Sequence, residues 1–232
     1  MASRFEAGGM AMASRHEEKY IISYRQYLML KQRALQLLTP DEHGDQGSYV
    51  ITSLYYDDPM DHALDEKLDG LPEHSKFRVR TYNFSEDFIN LERKDKIGIL
   101  TKKESTRLCK AQIPALETPG DNTFSASAQP LVVQMHAAAL RPAVTVRYRR
   151  DAFYHAGSDF RLTFDTELEA ISPDAEALFS PEYRGLPVLH PDQVIMEIKY
   201  GDRCPSFARK LTNVSCKQLS VSKYALCREI FL

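Results

Sequence analysis

Over much of this chain, charged and apolar residues alternate with a period of two, as in strands whose two faces meet different surroundings. Lys76-Phe-Arg-Val-Arg-Thr-Tyr82 sets Arg78 and Arg80 on one face, and Ile89-Asn-Leu-Glu-Arg-Lys94 does the same with Glu92 and Lys94. The device recurs. Glu17 and Lys19 precede Tyr-Ile-Ile, and Tyr148 and Arg150 follow Val-Thr-Val. Arg161, Thr163 and Asp165 alternate with Phe160, Leu162 and Phe164, and Glu197 and Lys199 alternate with Met196 and Ile198. One such strand is what any antiparallel sheet with a solvated face looks like. Six of them point to a closed sheet with a polar interior. The expected fold class is α+β, an antiparallel β-barrel with surrounding helices, and a polyanion would suit its interior.

Taken in order, residues 1–14 read as a flexible leader in which Met-Ala-Ser-Arg begins a repeat at 12–15, and residues 15–232 as a single domain. A strand over 15–22 leads to Ser23, an N-cap for a helix over 24–38 that Pro40 ends. A polar loop at 41–47 precedes a strand over 48–56, and a short helix over 60–68 is closed by Gly70. Strands at 76–83, 88–95 and 98–108 form a meander. Residues 111–129 read as loop with some helix, 131–140 as helix, and 142–154 and 159–168 as strands about a turn at 156–158. Four prolines break 172–192 into loop; a strand at 194–200 and a helix from 205 to about 214 precede a segment at 220–224.

Composition narrows the function. Across 232 residues, Lys+Arg 30 against Asp+Glu 32 leaves a net charge of −2, which argues against a nucleic-acid coat. Any basic site must come from local arrangement. The four cysteines lack CxxC spacing and read as free thiols of a reducing compartment. With no apolar run near the ~20 residues of a spanning helix and no secretory signal, the chain reads as cytoplasmic. Membrane association would need a membrane-protein partner. P-loop, GxGxxG, kinase and nucleophile-elbow motifs are missing. The seven histidines show no metal spacing, so His16, His136 and His155 read as surface or core. Tyr55-Tyr56 reads as core packing, and Ser222 beside Lys223 suits phosphate binding better than nucleophilic attack. Arginine forks and lysine point charges suit phosphates. Glu17, Glu92, Asp165 and Glu197 would separate those bases and offer oxygens to Mg²⁺ or Mn²⁺.

Several short motifs stand in a familiar order: Arg15-x-Glu-x-Lys-Tyr20, Ser53-Leu-Tyr-Tyr-Asp57, Leu68-Asp-Gly70, Phe77-Arg-Val-Arg-Thr-Tyr82, Leu91-Glu-Arg-Lys94, Phe164-Asp-Thr166, Met196-Glu-Ile-Lys199 and Ser222-Lys-Tyr224. The set resembles the VTC domain, the polyphosphate polymerase domain of the vacuolar transporter chaperone complex, over about residues 15–226. The resemblance implies a triphosphate tunnel fold and transfer of the ATP γ-phosphate to a growing polyphosphate chain with a divalent metal, Mn²⁺ or Mg²⁺. It implies Arg78, Arg80, Lys94 and Lys223 at the reacting phosphates. Lys19, Lys102, Arg150, Arg161, Lys199, Ser222 and Tyr148 would bind further phosphates, and Glu197 the metal. Lys103 adjoins Lys102 and Arg149 adjoins Arg150, so a one-residue slip in register would exchange either pair. Ser220 stands where the polymerases carry another lysine. Attack by water would make the same tunnel an inorganic or nucleoside triphosphatase; without turnover it would be a polyphosphate-binding module.

Overall fold

Tight turns fix the strand registers on which the site depends. The computed structural model describes residues 16–98, 100–120, 123–213, 216 and 218–232. The leader, Arg15 and the end of the helix expected to reach Val214 lie outside the described residues. The first strand, β1 (His16–Ser23), runs into helix α1 (Tyr24–Leu37). Ser23 and Gln26 make a capping box there, the side chain of each accepting from the backbone N–H of the other. The chain continues through β2 (Thr39–Pro40), β3 (Ser48–Asp57), α2 (His62–Leu68), β4 (Glu73–Tyr82), β5 (Ile89–Ile97) and β6 (Leu100–Leu108). Asn83 and Phe84 take positive φ between β4 and β5, and Gly98 does so between β5 and β6, where Ile97 pairs with Leu100. That two-residue turn sets every pair of the β5–β6 ladder.

After two 3₁₀ turns come α3 (Gln129–Ala137), β7 (Arg141–Tyr154), β8 (Arg161–Ile171), β9 (Leu186–Pro187), β10 (Gln193–Tyr200), α4 (Ser206–Leu211) and α5 (Lys223–Arg228). The sheet order is β1-β10-β8-β7-β3-β4-β5-β6, all antiparallel, with β2 on β7 and β9 on β8. A register shift at Arg147/Arg149 bends β7 against β8. Helix α5 had no sequence signal, since six residues are too few for a helical period to show. Ser222 caps it, its Oγ accepting from the Ala225 N–H at 3.4 Å.

Helices cover the outer faces of the barrel. Leu30 and Ala34 of α1 and Leu211 of α4 pack with Phe153, Phe164 and Met196. Leu131 and Met135 of α3 pack with Leu54, Val79 and Leu91. Burying each large apolar side chain contributes roughly 1.5–3 kcal/mol. The inner face is apolar at one end, where Ile51, Val146, Leu168 and Ile195 meet Tyr224 and Cys227 of α5. The rest of the interior is charged. The closed sheet expected from the alternation is not closed by hydrogen bonds: among the described residues the β1 and β6 edges do not pair, and the barrel-like sheet is open at that seam. Instead the segment after α4 returns along β1, where Leu219 N–H donates to the Lys19 carbonyl at 2.9 Å and Gln218 bridges Tyr20. Asp57, at the end of β3, ties α2 to α5, accepting from the Ala63 and Leu64 N–H groups of α2 and from the Tyr224 hydroxyl of α5. The four cysteines are free thiols, and among the described residues no helix is long and apolar enough to cross a membrane. His16 stacks on Tyr200, His155 lies against Phe207, and His136 bonds the Leu116 carbonyl.

Candidate functional site: a cationic cavity in the barrel

The charged interior opens as a cavity of about 780 Å³. Strand parity builds it. Alternate residues of β4 send Lys76, Arg78 and Arg80 inward, and the β4–β5 register sets Lys94 opposite Lys76 and Glu92 opposite Arg78. On the far wall β1 and β10 place Glu17 opposite Lys199 and Lys19 opposite Glu197, a base facing an acid in both rows. Tyr148 and Arg150 come from β7, Tyr55 from β3, and Ser222 and Lys223 from the start of α5. Glu17 of β1 also accepts from Lys94 of β5 at 3.3 Å, so side chains bridge the gap that hydrogen-bonded strands leave.

The acids fix the bases in place. The Arg78 guanidinium donates to Glu92 at 2.8 Å and to the Tyr55 hydroxyl at 2.8 Å, and Lys103 reaches the other Glu92 oxygen at 2.6 Å. Arg150 grips Asp165 with two bonds, 2.7 and 2.9 Å, and Lys223 meets the same carboxylate at 2.5 Å. Lys199 lies 2.7 Å from Glu197, and Lys19 lies 2.8 Å from Glu17. Burial pushes Glu197 up, but Lys199, Lys19, Arg150 and Lys223 outweigh it and hold the carboxyl well below its ordinary range. Glu92 is likewise pulled to about 2, against burial, by Arg80, Arg78 and Lys103. Burial also works against ionisation of Tyr55, yet Arg78, Arg80 and Lys223 bring its hydroxyl below the usual tyrosine value.

Among the described residues four of the lining bases have no ion-paired acid: Arg80, Lys76, Lys67 and Lys96. Arg80, buried, donates to Ser53 at 3.1 Å and Tyr148 at 3.4 Å. Lys76 donates to Ser222 at 3.0 Å and sits 5.1 Å from the Tyr224 ring centroid. Burial and the charges of Lys67, Lys19 and Lys94 push Lys76 down to about 7. In all, ten Lys and Arg residues line the cavity against three Glu. Within a chain of net charge −2, that is a local concentration of positive charge.

The VTC domain profile matches residues 14–232. The chain belongs to the VTC domain family. The fold of this VTC domain is the triphosphate tunnel, an antiparallel barrel with helices outside. A putative adenylyl cyclase from Hippeastrum with a dominant triphosphatase activity superposes at a TM-score of 0.55 and 12% identity, covering 92% of this chain and 96% of that one. The PH1819 protein from Pyrococcus horikoshii OT3 superposes at 0.50 and 10% identity, covering 93% and 97%. A putative adenylate cyclase from Bacillus halodurans does so at 0.50 and 14%, covering 90% and 95%. At these identities the likeness is one of fold. No curated protein sequence matches.

Of the residues singled out from sequence, Lys19, Arg78, Arg80, Lys94, Tyr148, Arg150, Glu197, Lys199, Ser222 and Lys223 line the VTC domain cavity together. Lys102 does not. It pairs with Glu104 at 2.6 Å, and it is Lys103 that falls opposite Lys94 and shares its face. Arg161 has inward parity but lies beyond the cavity, where it binds Asp41 at 2.7 Å and Tyr49 at 3.1 Å. Arg150 rather than Arg149 is inside; Arg149 is exposed and lies 3.5 Å from Glu167. Tyr56 is buried in the outer core, whereas Tyr55 lines the cavity. Lys76, Lys67 and Lys96 also line it and were not singled out. For Lys76 the signal was present, two residues before Arg78. Lys67, on α2, carried none.

Could this VTC domain hold a divalent metal? Among the described residues no group of three His, Cys, Asp or Glu is arranged for one. Mg²⁺-type sites, however, commonly use one or two carboxylates and take their other ligands from phosphates and water. Glu197 faces the cavity, and directly opposite it on β8 the buried Thr163 hydroxyl has no hydrogen-bond partner. Glu17 lies close enough to repel Glu197 electrostatically. That donor set fits a metal that arrives with phosphate.

Proposed function

We propose that this VTC domain is an ATP-dependent phosphotransferase that lengthens polyphosphate. The observation that carries the reading is the excess of bases in one walled cavity, ten lining it against Glu17, Glu18 and Glu197, with Glu92 and Asp165 paired to three of them from behind. Poorly hydrated cations bind phosphate oxygens far more strongly than exposed ones. The arginines offer planar forks and the lysines point charges, so Arg78, Arg80, Lys94 and Lys223 would hold the reacting phosphates. Lys19, Arg150, Lys199 and Tyr148 would hold those that flank them. A terminal oxygen of the acceptor chain attacks the γ-phosphorus in line. The bond from that phosphorus to the β–γ bridging oxygen breaks, and ADP leaves with the electron pair. Bound Mn²⁺ or Mg²⁺, held by Glu197 with Thr163 and Glu17 beside it, would neutralise developing charge. Ser222 caps α5, its Oγ accepting from the Ala225 N–H and from Lys76, an arrangement that suits phosphate binding. Transfer then rests on positioning and charge, without a covalent protein intermediate.

Hydrolysis is the second reading, supported by the Hippeastrum protein of the same fold with its dominant triphosphatase activity. One experiment separates the two. Purified protein is incubated with ATP and Mn²⁺, with and without a short polyphosphate primer, and chains, ADP and free phosphate are measured together. Long chains with matching ADP are expected. Free phosphate without chains would establish the hydrolase instead, and tight polyphosphate binding with neither product would leave a binding module.

A further inference from the structure

The core accounts for only one side of α1. Tyr27, Leu30, Ala34 and, just past the helix, Leu38 are buried. Yet Tyr24, Leu28, Met29, Leu35 and Leu37 stand on the solvent side, and Leu28 and Leu37 leave 48% and 56% of their surface exposed. No other helix among the described residues exposes more than one large apolar side chain. An apolar surface gathered on one element marks an interaction site, where scattered single residues would not.

The residues between them are basic or neutral. From Tyr24 to Leu37 there is no acid. Side chains four apart on a helix lie in one row. One such row reads Arg25, Met29, Arg33, Leu37, base and apolar in turn, with every member exposed. The row beside it holds Tyr24, Leu28, Gln32 and Gln36.

Helix α4 adds to the charge. Its Ala208 and Leu211 pack with Leu30 and Ala34 over β7, β8 and β10, so the two helices share one outer layer and their solvent faces look the same way. Its exposed bases are Arg209 and Lys210. Among the described residues no carboxylate lies within ion-pair distance of Arg25, Arg33, Arg209 or Lys210. Acids near α1 are engaged elsewhere. Asp151, behind the helix, pairs with Lys31 and accepts from the Tyr27 hydroxyl, Asp192 accepts from the Tyr24 N–H, and Glu167 lies against Arg149.

A convex helix face that is basic and apolar together fits a flat, negatively charged surface whose boundary accepts apolar side chains. We infer that α1, with the bases of α4 beside it, is a docking face for an anionic lipid bilayer. The apolar side chains enter the boundary between headgroups and acyl chains, while Arg25, Arg33, Arg209 and Lys210 meet the headgroup phosphates. A second copy of the chain suits the face less, since pairing about a twofold axis sets these bases against their own images. Docking of this kind is independent of the reaction in the cavity, because α1 covers the outside of the sheet. Attachment then does not require the membrane-protein partner expected from the sequence.

The test is flotation of the full chain with vesicles of phosphatidylcholine alone, and of phosphatidylcholine with about one-third phosphatidylserine. Binding is expected on the anionic vesicles only. R25Q/R33Q should weaken it about 25-fold, roughly fivefold for each base, and M29S/L37S about tenfold. All four positions are exposed, so the thermal midpoints of both variants should stay within about 2 °C of wild type. No binding to the anionic vesicles would overturn the docking face, as would binding that neither variant weakens. Binding abolished by equimolar tripolyphosphate, yet unchanged in R25Q/R33Q, would place the headgroups in the cavity instead. A dimer in sedimentation that M29S/L37S converts to monomer would give the face to a second copy.

Discussion

Lys76 offers the sharpest quantitative test, because among the described residues it has no counter-ion. Burial, Lys67, Lys19 and Lys94 together bring it from the ordinary lysine value to about 7. A polyanion seated in the cavity supplies the missing negative charge and returns the ammonium toward its ordinary value near 10.5. The occupied site therefore holds more protons than the empty one, so binding takes up protons and tightens as pH falls from about 10 towards 7. With a free-state value of about 7, Lys76 takes up about 0.5 proton at pH 7, about 0.9 at pH 8 and almost none at pH 6. The assay is titration calorimetry of tripolyphosphate in buffers of different ionisation enthalpy, on wild type and Lys76→Gln. Phosphates titrate too, but their contribution cancels in the difference between the proteins. That difference should be close to one proton at pH 8. A difference below about 0.2 proton would mean that Lys76 is already fully charged in the free protein, and the account of its environment would be wrong.

Two further outcomes test the assignments. Glu197→Gln should abolish turnover of ATP, while tripolyphosphate binding without metal changes by less than about tenfold; undiminished turnover would remove Glu197 from the metal site. Lys103→Ala should weaken phosphate binding about tenfold by freeing Glu92 to compete for Arg78, whereas Lys102→Ala should be neutral within about twofold, and the reverse order would move the β5–β6 register by one residue.

Much of this was legible in the chain. Alternation assigned Arg78, Arg80, Glu92, Lys94, Glu197 and Lys199 to one face of the sheet, since a side-chain period of two leaves no other choice within a strand. What alternation cannot supply is phase across a turn. Lys102 and Lys103 compete for one place, and the two-residue turn at Gly98 decides between them. Nor does parity say how far along the barrel a residue lies. Arg161 has inward parity, yet it ends up holding Asp41 and Tyr49 beyond the cavity. Lys67 was invisible because its role arises from α2 packing near a segment 153 residues away. Helix α5 was missed because six residues show no period, although its cap, Ser222, was already singled out.

The seam between β1 and its neighbours bears on how the protein is made. Glu17 and Lys19 emerge early from the ribosome, but their partners on β10 come more than 170 residues later, and Lys19 reaches Val221 across 202 residues. Contacts so distant along the chain close late and slowly. Until then the bases of β4 and β5 are spread over an unfinished sheet that faces solvent on one side. A nascent chain thus reaches the synthesis of its last strands with its strongest anion-binding surface still in pieces.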